Sequence, residues 1–132
     1  MHDSIFNDCM RAFRPIVSVN YPNKDTFNFS SAANLGAAAT IAGGAGSDVI
    51  AVTAAATLTD ANFLNATSIE TLRLTGASTI TLGANAASAG IVNVSTGTGA
   101  TSITDSNGIT LNVDTTALAN NTVLTLALRQ KL

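Results

Sequence analysis

The feature that most constrains this chain is internal repetition. One strand-like motif ends at Val52-Thr53, Leu74-Thr75, Val94-Ser95 and Val113-Asp114, at steps of 22, 20 and 19 residues. A second reads Ala-Ala-Thr-Ile-Ala at 38–42, Ala-Ala-Thr-Leu-Thr at 55–59, Gly-Ala-Ser-Thr-Ile-Thr at 76–81 and Gly-Ala-Thr-Ser-Ile-Thr at 99–104. The unit is therefore about 20 residues carrying two short strands, in about four degenerate copies. So small a unit cannot enclose a core alone, but stacked units cover one another's apolar faces.

The motifs alternate apolar and polar residues, as in Leu72 and Leu74 against Thr71, Arg73 and Thr75, the period-two pattern of half-buried strands. Strands are expected at 49–53, 56–59, 69–75, 78–82, 91–95, 101–104, 109–114 and 122–128. The loop from Asp60 to Ser68 has room for one helical turn, with Asp60 as its cap and Phe63 and Leu64 facing inward. The chain is expected to be all-β, a parallel β-solenoid of about 20-residue two-strand repeats, with a β-sandwich as the alternative. Side-chain size favours the solenoid. A narrow coil holds small inward residues, and after position 28 only Phe29 and Phe63 are aromatic, whereas sandwich cores use large aromatics.

Charged residues make up 11% of the 132-residue chain, under half of the roughly 25% of ordinary soluble domains. Between Lys24 and Arg129 the only basic residue is Arg73, set against Asp48, Asp60, Glu70, Asp105 and Asp114. A nucleic-acid partner requires clustered Lys and Arg to displace counterions, so none is expected. The surface must consist mostly of hydroxyls and amides. Cys9 stands alone, leaving no intramolecular disulfide and no thiolate metal site. No apolar run reaches the roughly 20 residues of a membrane span.

The composition changes near Thr26. Residues 1–27 form a non-repeat segment, a cap or leader, holding both prolines, His2 and Cys9. A weak helix is expected from Ile5 to Phe13, ended before Pro15. Asp3, Asp8, Arg11 and Arg14 interrupt the place of an apolar signal core. Export is accordingly expected to rely on sequence outside this stretch. The repeat array occupies 28–128, and 129–132 form a tail in which Arg129 and Lys131 guard an apolar edge.

Residues 43–51 read Gly-Gly-Ala-Gly-Ser-Asp-Val-Ile-Ala, matching the nonapeptide G-G-x-G-x-D-x-U-x at every fixed position. Over these nine residues the chain resembles the RTX (repeats-in-toxin) calcium β-roll family. Over about 100 residues its texture resembles large bacterial surface proteins of S-layer-like and adhesin type, with Thr/Ala-rich strand repeats. The resemblance implies that Gly43, Gly44 and Gly46 form a turn whose carbonyls face calcium, that Asp48 supplies a carboxylate, and that Ile50 enters the core. Calcium takes about six to eight oxygens. One nonapeptide cannot supply them, and no second copy follows. A plain Gly-rich turn opening the strand at 49–53 is the competing reading.

Asp105-Ser106-Asn107-Gly108 reads as a turn between strands. The sequons at Asn65, Asn93 and Asn120 are expected by chance in so Asn- and Thr-rich a chain, and Gly97-Thr98-Gly99 lacks the Lys and helix of a phosphate loop. The only histidine, His2, lies at the terminus, so no Ser-His-Asp relay is expected. The carboxylate pairs Asp60 with Glu70 and Asp105 with Asp114 are the residual enzymatic option, that of polysaccharide-acting β-helices. No enzyme is expected. The expected function is a structural or adhesive repeat segment of a secreted or cell-surface bacterial protein, a stiff rod or display scaffold. Its partners would be neighbouring repeats, further copies of itself, or a cell-surface or glycan ligand. The alternative is a calcium-responsive folding module that assists secretion.

Overall fold

The structure, a computed structural model, describes residues 6–7, 16–18 and 23–129. Its strands are β1 (Phe6–Asn7), β2 (Ile16–Ser18), β3 (Thr26–Phe29), β4 (Thr40–Ala42), β5 (Val49–Val52), β6 (Ala56–Leu58), β7 (Ala66–Thr67), β8 (Thr71–Leu74), β9 (Ser78–Leu82), β10 (Asn93–Ser95), β11 (Thr101–Asp105), β12 (Asn112–Asp114) and β13 (Leu124–Leu128). Two helices, α1 (Ala32–Ala37) and α2 (Ala84–Ala89), and a 3-10 turn at Asp60–Phe63 lie between them. The eight strands expected from the alternation are present, most of them trimmed by one to three residues. Of the helix expected at 5–13, only Phe6–Asn7 lies among the described residues, where it is a strand paired with Phe27 and Asn28.

The strands form three open sheets, ordered β1-β3-β5-β8-β10-β12, β13-β11-β9-β6 and β2-β4-β7. Every described pair is parallel, unlike the antiparallel sheets of a sandwich. The protein is thus predominantly β, with parallel sheets and few helical residues. From β5 the chain passes to β6 in the second sheet and β7 in the third. It then returns to the first sheet as β8, beside β5.

Register turns this path into columns of like residues. Phe27, Ile50, Leu72, Val94 and Val113 are successive partners in the first sheet. Leu58, Ile80, Ile103 and Leu126 are successive partners in the second. The interior members of both columns are at most 1% exposed. The 20-residue step aligning Leu74 with Val94 is corrected: Val94 pairs Leu72, a step of 22. A two-residue shift leaves every side chain on its own face, so the hydrophobic pattern does not distinguish the two registers.

A second correction concerns residues 38–42. They resemble the motifs of β6, β9 and β11, yet as β4 they pair with β2 and β7 in the third sheet. The cause is chain length. Only Ser30 to Ala39 separate β3 from β4, and α1 takes six of those residues. No length remains for a strand in the second sheet.

The helical elements stack at one corner. Ser31 caps α1 by accepting the Asn34 N–H at 3.1 Å, and Leu35 fills the space beneath. The Asn62 amide, from the 3-10 turn, donates to the Ala32 carbonyl at 2.9 Å. Asp60 then reaches α2, accepting from Gly83 and Ala86 through Oδ1 at 2.7 and 2.9 Å and from Asn85 through Oδ2 at 3.0 Å. Asp60 therefore caps the next helix, and its own turn is capped by Thr59 in a reciprocal box with Asn62. Phe63 is buried as expected, whereas Leu64 is 66% exposed. The 3-10 turn ends at Phe63, so the residue after it points outward.

Candidate functional site

The Gly-rich nonapeptide forms the corner between β4 and β5. Gly44 and Gly46 have φ of 87° and 133°, the left-handed region that favours glycine. Gly43 lies so close to Ser68 and Asp48 that a side chain there would overlap the Ser68 carbonyl oxygen and the Asp48 carboxylate. Asp48 is wholly buried, and Ile50 is in the core.

Pairing brings two further acids to this corner. Asp25, Asp48 and Glu70 each precede a strand of the first sheet, and Thr26, Val49 and Thr71 are successive register partners. The acids therefore form a column. Asp48 Oδ1 accepts the Asp25 N–H at 2.8 Å, and Glu70 Oε2 accepts the Asp48 N–H at 2.8 Å. Each side chain reaches back one strand and holds a backbone donor that precedes it. Main-chain bonds run in parallel, from Val49 N to the Asp25 carbonyl at 2.8 Å and from Thr71 N to the Asp48 carbonyl at 3.0 Å. Val92 follows at the next level and ends the column.

The electrostatics are unfavourable. Burial raises the Asp48 carboxyl above its ordinary value of 3.8, and the Glu70 and Asp25 carboxylates push it the same way. The Asp25 N–H opposes them. Both carboxylate oxygens of Asp25 and Oδ2 of Asp48 are buried without a hydrogen-bond partner. Such orphans are costly unless protonated or occupied. Among the described residues no three His, Cys, Asp or Glu side chains are placed to hold a metal ion.

The sequence reasoning singled out Asp48 and missed Asp25 and Glu70 as its neighbours. The signal was present: their spacings of 23 and 22 equal the strand step. The other candidates have local partners. Asp60 caps α2, and Glu70 holds Asp48. Asp105 Oδ1 accepts the Asn107 N–H at 2.9 Å in a turn where Gly108 has φ of 71°. Asp114 Oδ1 accepts the Thr116 N–H at 3.0 Å, which lowers its carboxyl below the ordinary range. The amides of Asn65 and Asn93 donate to the carbonyls of Ala38 and Glu70 at 3.0 and 3.3 Å. His2, Cys9 and Lys131 lie outside the described residues.

Comparison with family models, curated proteins and solved structures finds no match to this chain. Among the described residues no helix is long and apolar enough to cross a membrane.

Proposed function

We propose that the chain is a non-catalytic structural or adhesive segment of a secreted or cell-surface protein, its three parallel sheets winding as a β-solenoid that serves as a rod or display scaffold. The observation that carries this reading is the column register. Successive strands of each sheet follow in chain order, and like residues stack from Leu58 to Leu126 and from Phe27 to Val113. Stability in such an array is a sum over neighbouring units, so units can be added without redesigning the core. The polar face and the scarcity of charge suit a surface exposed along its length.

The test is duplication of residues 53–74, one full step between Val52 and Leu74, inserted directly after Leu74. A solenoid accepts the extra circuit, and circular dichroism then shows undiminished strand content per residue with cooperative melting. Loss of the strand signal would count against the winding.

A second reading, a calcium-responsive folding module of RTX type, draws on the unpartnered oxygens of Asp25 and Asp48 beside Gly43, Gly44 and Gly46. A cation there would relieve the mutual repulsion of the acids. Identical spectra and melting curves in EDTA and in millimolar calcium would remove it.

A further inference from the structure

The outward face of the second sheet carries a regular array of hydroxyl groups. Pairing sets Thr57 beside Thr79, Thr79 beside Ser102, and Ser102 beside Thr125. Two residues along the strands, Thr81 pairs with Thr104. Their neighbours Leu58, Ile80 and Ile103 are completely buried, so alternation turns the hydroxyl residues outward. Thr57, Thr79, Thr104 and Thr125 are exposed, and Thr81 and Ser102 are partly covered.

Geometry sets the spacing of this array. Strands in a sheet lie about 4.8 Å apart, and alternate residues of one strand are about 6.7 Å apart. The first hydroxyl column, from Thr57 to Thr125, therefore runs from β6 to β13 without a register slip, and the second holds Thr81 and Thr104 before Ala127 takes its point on β13. On one side runs a column of small apolar residues, Ala55, Ala77 and Ala100, beside the first hydroxyl column and lining a shallow trough with it. No charged residue lies on this stretch of the face.

None of these six hydroxyl side chains is engaged in a hydrogen bond within the protein among the described residues. This sets them apart from Ser78 and Thr101, which donate to the carbonyls of Gly76 and Gly99 at 3.1 and 3.2 Å. The outward hydroxyls are thus left to water. Each threonine also presents a methyl group, which restrains the water around it. The two grid spacings are close to repeat distances of oxygen positions on the prism face of ice.

We propose that the outer face of the second sheet binds ordered water, and that its ligand is the surface of ice. A polysaccharide surface fits less well, because the grid offers neither an aromatic platform nor a charged group. Mineral surfaces would call for carboxylates, which this face lacks.

The experiment uses the full chain. Thermal hysteresis and the shape of single ice crystals are recorded by nanolitre osmometry, and a fluorescently labelled sample is tested for incorporation into a growing ice hemisphere. The expected result is a freezing point depressed below the melting point, faceted crystals and uptake into ice. Thr79→Tyr, which places a ring across the central column, is expected to abolish all three. Ala117→Tyr, in the exposed loop after β12, leaves them unchanged. Circular dichroism checks folding, and Thr104→Tyr replaces Thr79→Tyr should that variant not fold. A folded wild-type chain that neither shapes ice nor enters it overturns the proposal, as does full activity in the folded face variant. Retention on crystalline cellulose or chitin without activity on ice overturns it in favour of a polymer ligand.

Discussion

Oδ1 of Asp48 accepts the backbone N–H of Asp25 at 2.8 Å across 23 residues of sequence, tying the entry of β3 to the entry of β5. The bond is satisfied in either protonation state, but the charge is opposed by burial, by Glu70 and by Asp25. This makes the corner sensitive to pH. The folded carboxyl is raised above 3.8, so between these two values the folded state binds more protons than the unfolded state. The contribution of Asp48 to stability is full below 3.8 and is lost as pH rises through the folded value. The melting temperature is therefore expected to rise as pH falls from neutral toward 3.8, and Asp48→Asn is expected to flatten that rise. A set of melting curves on both proteins checks it. Asp114, with its carboxyl lowered, acts in the opposite sense and only below its ordinary value of 3.8.

Removing the acceptor has a different consequence from removing the charge. Asp48→Ala leaves the Asp25 N–H buried without its partner, at a cost of about 1–3 kcal/mol. Asp48→Asn keeps a carbonyl oxygen at that position. Urea denaturation at neutral pH should rank Asp48→Ala well below both wild type and Asp48→Asn.

At Gly46 the backbone φ is 133°, and an added Cβ would collide with the carbonyl oxygen of Asn23. Gly46→Ala is expected to destabilise by at least the roughly 1–3 kcal/mol of a residue held in a sparsely populated backbone region. The loss should be equal with and without calcium if the turn is structural, which denaturation in EDTA and in calcium measures.

The column from Leu58 to Leu126 is closed in its middle and open at its end. Ile80 is fully buried, whereas Leu126 is 44% exposed. Ile80→Ala is expected to cost about 2–5 kcal/mol through lost contacts and an unfilled cavity. Leu126→Ala should cost well under half as much. Equilibrium denaturation of the two variants makes the comparison.

Asp60 satisfies three N–H groups at the start of α2. Asp60→Ala is expected to cost about 0.5–2 kcal/mol, the range for a lost helix cap. Amide hydrogen exchange should show protection falling first at Gly83, Asn85 and Ala86.

Strand positions were legible because each strand alternates, and alternation is a local property. Val49 to Val52 and Ser78 to Leu82 could be found without knowing what they pair with. Register was less legible. Leu74 and Leu72 are equally good partners for Val94 by pattern, and the backbone bonds from Val92 and Asn93 to the Glu70 carbonyl select Leu72. Sheet membership was not legible for residues 38–42, whose motif matches the second sheet while the short connection through α1 delivers them to the third.

The candidate corner divides in the same way. The Gly-Gly-Ala-Gly-Ser-Asp turn was visible as a motif, and Gly44 and Gly46 do occupy the conformations that favour glycine, while Gly43 is held to glycine by its close approach to Ser68 and Asp48. That Asp48 is buried between Asp25 and Glu70 could not be seen from the motif, because both neighbours precede other strands of the first sheet.

The sequence by itself therefore determined the local periodicity: which residues face inward, where the chain turns, and that like units recur about every 20 residues. Only the tertiary structure decided which units meet and in what register. Parallel pairing joins residues 19 to 25 positions apart, and a shift of two residues leaves the inward pattern intact. The choice falls to main-chain hydrogen bonds and connection lengths. The same pairing stacked three carboxylates at one corner and aligned the outward threonines of separate strands into a single face.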